Sequence, residues 1–220
     1  SDIATGLSQN LAKNGPGLLT IGGTGVNLFT GATRVNEGIF RAAKATAFGT
    51  TAGNVNVTYG ATVELTGGII VPAETITING TGDSNTAAVP FRNLSGTNTW
   101  QGTVSLANNP RTAIDTVTGS KLIIEGAVGA NAFSKIGAGT LQFAGSAANT
   151  FNNQSIIWQG TVELNKSGGA LAINNANNPS VFVGDRVGSD NSDRLVALQD
   201  NQIVDVPAAN NQLIQIEASG

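Results

Sequence analysis

Carboxylates are the side chains that could carry acid-base chemistry in this chain of 220 residues. It contains no histidine and no cysteine. These absences exclude catalytic triads, imidazole bases, thiol nucleophiles, disulfides and zinc-thiolate sites. Seven aspartates lie in turn-like contexts: Asp83, Asp115, Asp185, Asp190, Asp193, Asp200 and Asp205. Paired carboxylates can hydrolyse glycosidic bonds, but no two aspartates are adjacent in the sequence. We therefore predict no catalytic residue and no enzyme activity.

One acidic loop, Gly184–Asp193, has the ligand chemistry of a calcium site without its spacing. Its sequence GDRVGSDNSD supplies three Asp and one Asn, and oxygen ligands are those that Ca²⁺ prefers. The loop lacks both the EF-hand spacing and the Gly-Gly-x-Gly-x-Asp nonapeptide, and Arg186 and Arg194 offset its charge. We predict a solvated loop, no metal and no cofactor, with calcium binding at Asp185–Asp193 left open.

Two further patterns have a ligand-binding and a structural interpretation. Trp100 and Trp158 could stack on sugars, but their shared WQGTV context favours corner residues that cover the core. Three Thr-x-Thr pairs, at Thr75/Thr77, Thr97/Thr99 and Thr116/Thr118, would bind ice only if one flat face aligned them. Threonine is common in strands, so the pairs need no special function.

Charge and hydropathy limit the partners of the chain. The net charge is −3 and the sequence pI is about 4.8, which argues against nucleic acid or an anionic membrane as a partner. The sequence contains no apolar run of the ~20 residues that a membrane helix needs. It starts at Ser1 without a signal peptide, so we expect an excerpt of a longer chain.

The elements that position these residues are short strands. Gly, Ala, Asn and Thr make up 106 of the 220 residues, and Gly, Asn and Thr disfavour helices. Alternating apolar and polar residues predict strands at Val55–Leu65, Thr75–Ile78, Gly102–Leu106, Lys121–Gly126, Thr140–Phe143, Thr161–Leu164, Leu171–Ile173, Val181–Gly184, Ile203–Val206 and Leu213–Glu217.

The chain also repeats itself, which favours a solenoid over a sandwich. Residues 11–41 align without gaps on residues 133–163, and WQGTVSL at Trp100–Leu106 is echoed by WQGTVEL at Trp158–Leu164. Strand-turn units recur every ~18–25 residues, about one coil of a β-solenoid. Like charges would stack ~4.8 Å apart in such coils, which explains why only 11% of residues are charged. We predict one all-β domain over residues 1–220, a right-handed parallel β-helix of about nine or ten coils and ~45 Å.

The two aligned blocks resemble the autotransporter-associated β-strand repeat. The first copy meets the pattern of that family at Lys13, Gly15, Gly17, Leu19, Ile21, Gly23, Asn27, Phe29, Gly31, Thr33, Val35 and Gly38. The second meets it at Lys135, Gly137, Gly139, Leu141, Phe143, Gly145, Asn149, Phe151, Ile157 and Gly160, whereas Asn153 and Ser155 replace the expected Gly and Thr. Phe91–Leu106 and Val181–Asp205 resemble segments that accompany such repeats.

The resemblance implies an exported β-helical segment of a Gram-negative surface or secreted protein, and no catalytic residue. We expect a structural stalk, or a fibre-forming or adhesive element. The expected partners are other copies or neighbouring repeats joined end to end. Binding of surface glycans or host receptors is the alternative function, and polysaccharide cleavage is a third. The expected location is extracellular or on the outer cell surface.

Overall fold

The chain folds as a parallel β-solenoid with three faces. The computed structural model describes residues 8–80, 89–107, 111–174, 181–188, 192–204 and 214–217. These ranges contain strands, bridges and turns but no helix, and every strand pair between neighbouring coils is parallel. The predicted all-β parallel solenoid is therefore confirmed, and its right-handed sense stays a prediction.

Twenty-one strands lie in the described ranges, most of them three to five residues long. They are β1 Leu11–Lys13, β2 Leu18–Ile21, β3 Thr33–Val35, β4 Ile39–Ala42, β5 Val55–Val57, β6 Thr62–Leu65, β7 Ile70–Val71, β8 Ile76–Ile78, β9 Phe91–Asn93, β10 Thr97–Trp100, β11 Val104–Leu106, β12 Arg111–Thr116, β13 Lys121–Ile124, β14 Val128–Gly129, β15 Ala132–Ile136, β16 Thr140–Phe143, β17 Ser155–Ile157, β18 Gly160–Leu164, β19 Val181–Val183, β20 Asp193–Ala197 and β21 Ile214–Ile216.

Three sheets form the three faces. The first sheet has the order β1-β3-β5-β8-β11-β14, the second β2-β4-β6-β9-β12-β15-β17-β19-β21, and the third β7-β10-β13-β16-β18-β20. From β5 to β16 the chain follows the first, second and third sheet in turn and rises one coil with each round. The described strands before β5 alternate between the first and second sheets, and those after β16 alternate between the second and third. The second sheet runs without interruption from the first described coil to the last.

The predicted number of coils is wrong, because the structure has about seven. The prediction divided the chain by a uniform period, but the coils differ in length. Ile76 pairs with Val104, 28 residues later, and Gly160 pairs with Asp193, 33 residues later. These insertions add residues without adding coils. At ~4.8 Å between neighbouring strands, the nine strands of the second sheet span ~38 Å.

The core is a column of apolar side chains along the solenoid axis. Inward residues of successive coils stack directly, as Phe40 on Val63 and Trp100 on Ile124, and all four are fully buried. Two aromatic clusters lie in this column, and their rings meet mostly edge to face. Phe48, Phe91 and Trp100 form one, and Phe133, Phe143 and Phe151 form the other.

Two of the predicted strands are interrupted. Val55–Leu65 alternates throughout, but it divides into β5 on the first sheet and β6 on the second, with a turn at Gly60 between them. Leu171–Ile173 contributes only a bridge from Ile173 to Ile203. Alternation continues through a solenoid corner, so the sequence pattern alone does not mark the corner.

No helix in the described ranges combines the length and apolar character needed to traverse a membrane.

Candidate functional site

The two repeat blocks use different faces of the solenoid. In the first block, β1 lies on the first sheet and β2 on the second. The equivalent strands of the second block, β15 and β16, lie on the second and third sheets. The offset of 122 residues is therefore not a whole number of coils. Each block contains four strands, two in each of two neighbouring coils, and the second copy lies one face further around the solenoid.

A buried lysine closes the corner in both copies. Lys13 Nζ donates to the carbonyl oxygens of Asn14, Gly15 and Glu37 at 3.3, 2.6 and 2.9 Å. Lys135 Nζ donates to the equivalent carbonyls of Ile136, Gly137 and Gln159, the first and last at 2.9 Å. An ammonium group has three donors, so one lysine satisfies two turn carbonyls of its own coil and one of the next. We call each arrangement a lysine clasp.

A glycine follows the last carbonyl of each clasp. Gly38 and Gly160 have φ of +68° and +76°, a conformation that glycine adopts without steric cost. A Cβ atom at either position would lie 2.5 Å from the carbonyl oxygen of Gly17 or Gly139. Glycine is therefore needed both for the turn and for the close approach of two backbones.

The Asn-x-Phe motif fixes the irregular side that follows the two strands. Asn149 is fully buried and joins three coils: its Oδ1 accepts from Val128 N, and its Nδ2 donates to Ala172 O, both at 2.9 Å. Asn27 is equally buried and accepts from Lys44 Nζ at 2.9 Å. Phe29 and Phe151 fill the core beside these asparagines. On this side of the solenoid, side-chain hydrogen bonds of the motif connect neighbouring coils where no described strand does.

A second pair of buried lysines was not predicted from the sequence. Lys44 and Lys166 keep the same offset of 122 residues and lie just beyond the aligned blocks. Lys44 Nζ donates to Gly25 O and Lys166 Nζ to Gly126 O, each at 2.9 Å. An alignment extended by three residues would have found them.

Burial shifts the pKa of three groups inside the solenoid. Desolvation lowers the pKa of Lys135 to about 7, although Asp115 and Asp193 favour its charged form, and it lowers the pKa of Lys166 to about 8. Desolvation also raises the pKa of Glu74 to about 8, and its Oε2 is buried without a hydrogen-bond partner. Glu74 is therefore largely protonated at neutral pH.

A ladder of alternating charge crosses the outer face of the second sheet. Arg41, Glu64, Arg92 and Asp115 occupy one register position in four successive coils. Arg41 Nε lies 2.8 Å from Glu64 Oε2, Arg92 Nη1 lies 3.2 Å from Glu64 Oε1, and Arg92 Nε lies 2.7 Å from Asp115 Oδ2. Like charges at this spacing would repel each other, as expected from the sequence, but the charges stacked here are opposite.

The two tryptophans have opposite environments. Trp100 is fully buried, and its indole N–H donates to Glu74 O at 2.9 Å, which confirms the structural interpretation. Trp158 follows β17, one residue after the buried Ile157, and is only half-buried on the outer face. Successive strand residues point to opposite faces, so the same WQGTV sequence puts one indole inside and the other outside.

Trp158 lines an open groove of about 480 Å³ together with two of the candidate aspartates. The two aspartates are Asp115 and Asp185, and Ile136, Gln159 and Val187 also line the groove. Asp115 is held by Arg92 at 2.7 Å, and Asp185 Oδ1 accepts from Val187 N at 2.7 Å. The groove therefore combines an aromatic surface with oriented carboxylates.

The remaining candidate site residues do not come together in one site among the described residues. Asp193 is buried in β20, Asp200 lies in a separate loop, and Asp83, Asp190 and Asp205 lie outside the described residues. Part of the predicted calcium loop, residues 189–191, is likewise outside them, and the described residues contain no group of three metal-ligating side chains. Thr77, Thr99 and Thr116 belong to three different sheets, so the Thr-x-Thr pairs do not form one ice-binding face.

The strand topology defines the molecule as a parallel β-solenoid built around two corner repeats. Residues 11–42 and 133–164 both match the family model of the passenger-associated-transport-repeat. The chain thus contains two such repeats, and the resemblance seen in the sequence is confirmed for both. The match does not extend to Phe91–Leu106 or Val181–Asp205, where the resemblance stays a prediction. No curated protein and no solved structure matches the chain.

Proposed function

We propose that the chain is a non-catalytic, stiff segment of an exported bacterial surface protein. The observation that carries this proposal is the second sheet, whose nine parallel strands form one continuous ladder along the solenoid. Such a ladder resists bending and lengthens by a fixed step with each coil. The repeat family fits this role, because passenger segments are secreted or surface-exposed.

We further propose that these segments pair end to end, with other copies or with neighbouring repeats. Inward residues in the outermost described coils are only partly buried, namely Leu11, Leu19 and Ile21 at one end and Ile214 at the other. Their counterparts in the interior coils are fully buried. Strand edges and apolar surface at a solenoid end are templates for a further coil.

Small-angle scattering and electron microscopy across a concentration series test both parts. We expect a rod whose length grows in steps of one segment length at a constant cross-section. Leu19→Glu should abolish that growth by charging the open end, whereas Thr20→Glu on the outer face should not. A monomeric rod at every concentration would contradict end-to-end pairing, and a spherical particle would contradict the stiff segment.

A Gram-negative outer surface is the proposed location, and adhesion is the proposed consequence of display on such a rod. Immunogold labelling of intact cells that express the natural protein tests the location. Label confined to permeabilised cells would contradict it.

A further inference from the structure

Trp158 is half-buried, and the coil that follows has a glycine at its register position. In register, Trp158 stacks between Ile136 on one side and Gly184 on the other, since Ile157 pairs with Lys135 and Val183. Backbone hydrogen bonds from Trp158 N to Lys135 O and from Gly184 N to Ile157 O fix this register at 2.9 and 3.0 Å. Gly184 has no side chain to cover the indole from the next coil.

Hydrogen-bonding groups line the same groove as this indole. Asp115 and Asp185 contribute carboxylates to the groove, and Gln159 contributes an exposed amide. Val187, with 70% of its side chain exposed, adds an apolar wall. The groove volume of about 480 Å³ lies within the range of about 300–1,000 Å³ that is typical of ligand sites.

We propose that this groove binds a neutral carbohydrate chain. A pyranose ring presents an apolar face of C–H groups that packs on an indole, and hydroxyls at its edge that donate to carboxylates and amides. Trp158 supplies the first contact, while Asp115 and Asp185 supply the second. The groove is open to solvent, so a polymer can continue beyond it. The partly exposed carboxylate of Asp185 disfavours an acidic polysaccharide by repulsion.

The carboxylates of Asp115 and Asp185 are preorganised in the protein without a ligand. Arg92 orients Asp115 as the last step of the charge ladder, and the backbone of Val187 orients Asp185. Preorganised polar groups bind without a further ordering cost. The site is distinct from the proposed structural role, because it lies on the outer face and needs no contact between copies.

Fluorine NMR of the full chain labelled with 5-fluorotryptophan tests the site directly. The chain has two tryptophans, so Trp100 serves as an internal reference inside the core. The probes are the hexasaccharides of cellulose, xylan, mannan and chitin, with oligogalacturonate as an acidic comparison. We expect at least one neutral probe to shift the Trp158 resonance saturably while the Trp100 resonance stays fixed.

Variants assign the effect to the groove. Trp158→Ala should weaken binding of that probe at least tenfold, and Trp158→Phe should weaken it less because a ring remains. Tyr59→Ala is the matched control, since Tyr59 is an exposed aromatic residue that lines a different groove. Circular dichroism and the melting temperature establish that each variant folds.

Three results would overturn the proposal. The first is no shift of the Trp158 resonance by any neutral probe up to about 10 mM, a limit that corresponds to a very weak site. The second is undiminished binding by folded Trp158→Ala, and the third is a preference for oligogalacturonate. None of these results bears on rod length or end-to-end pairing, so the two proposals fail separately.

Discussion

The ammonium group of Lys135 donates a 2.9 Å hydrogen bond to the carbonyl oxygen of Gln159, 24 residues later and one coil further along the axis. Lys13 makes the equivalent bond to Glu37, also 24 residues later. The lysine of this repeat is therefore a structural cation that joins two coils at a corner. Its function in the repeat follows from the carbonyl groups that a sharp backbone turn leaves without partners.

Replacing this lysine should destabilise the solenoid. Lys135→Met keeps the length of the side chain but leaves three buried carbonyls without their donor, at a cost of about 2–4 kcal/mol. Urea unfolding at pH 6, where Lys135 is charged, measures the loss. Lys121→Met is the control, because it breaks only a half-exposed ion pair with Glu163 and should cost about 1 kcal/mol or less. Equal costs for the two variants would contradict the clasp.

The close approach at Gly160 can be separated from its backbone conformation. Gly160→Ala and Gly169→Ala both place alanine at positive φ, +76° and +78°. Only the Cβ at position 160 would meet a backbone oxygen at 2.5 Å, whereas the space at 169 is open. We expect about 1 kcal/mol for Gly169→Ala and clearly more for Gly160→Ala, measured by thermal unfolding. A cost at 160 no larger than that at 169 would mean that the two backbones move apart easily.

The protonation of Glu74 makes stability depend on pH. Its pKa is about 8 in the fold and 4.5 without burial. Between these values the folded state keeps a proton that the unfolded state has lost, so stability falls as pH rises, by up to about 1.4 kcal/mol per pH unit. Lys135 and Lys166 act in the opposite direction above their lowered pKa values of about 7 and 8, because only the unfolded state is then fully protonated.

Glu74→Gln isolates the carboxyl from these lysines. The amide mimics the protonated form and does not ionise, so we expect the variant to gain stability over the wild type between pH 5 and 8. Above pH 8 the difference should be constant. Urea unfolding across this range tests the trend, with the exposed Glu37→Gln as control. A difference that does not change with pH would refute the buried neutral carboxyl.

The charge ladder should depend most on Glu64, which lies between two arginines with only 2% of its side chain exposed. Glu64→Gln should cost about 1–3 kcal/mol, less than a fully buried pair because the arginines are partly solvated. Glu64→Arg should cost more, since it would align three like charges. A double-mutant cycle with Arg41→Gln gives the pair energy, and an energy near zero would show that the ladder contributes no stability.

Local sequence features predicted much of this structure. The missing helix formers, the alternating strands and the repeat at an offset of 122 residues led to an all-β parallel solenoid, and the two repeats are confirmed as passenger-associated-transport-repeats. Lys13, Gly38 and their counterparts Lys135 and Gly160 were among the residues that matched the repeat pattern. These features depend on turns and on contacts between neighbouring coils. Both require particular residue types at short and regular spacing, so the sequence pattern reveals them.

Only the tertiary structure determined the number of coils, the face on which each repeat lies and the environments of the two tryptophans. Insertions lengthened some coils to 28 or 33 residues, so the period overestimated the number of coils. The second repeat was turned by one face because its offset is not a whole number of coils. Trp100 lies in the core, whereas Trp158 is half-buried and lines one groove with Asp115 and Asp185, 43 residues before it and 27 after it. Only the register between coils brings such distant residues together, and backbone pairing over the whole sheet sets that register.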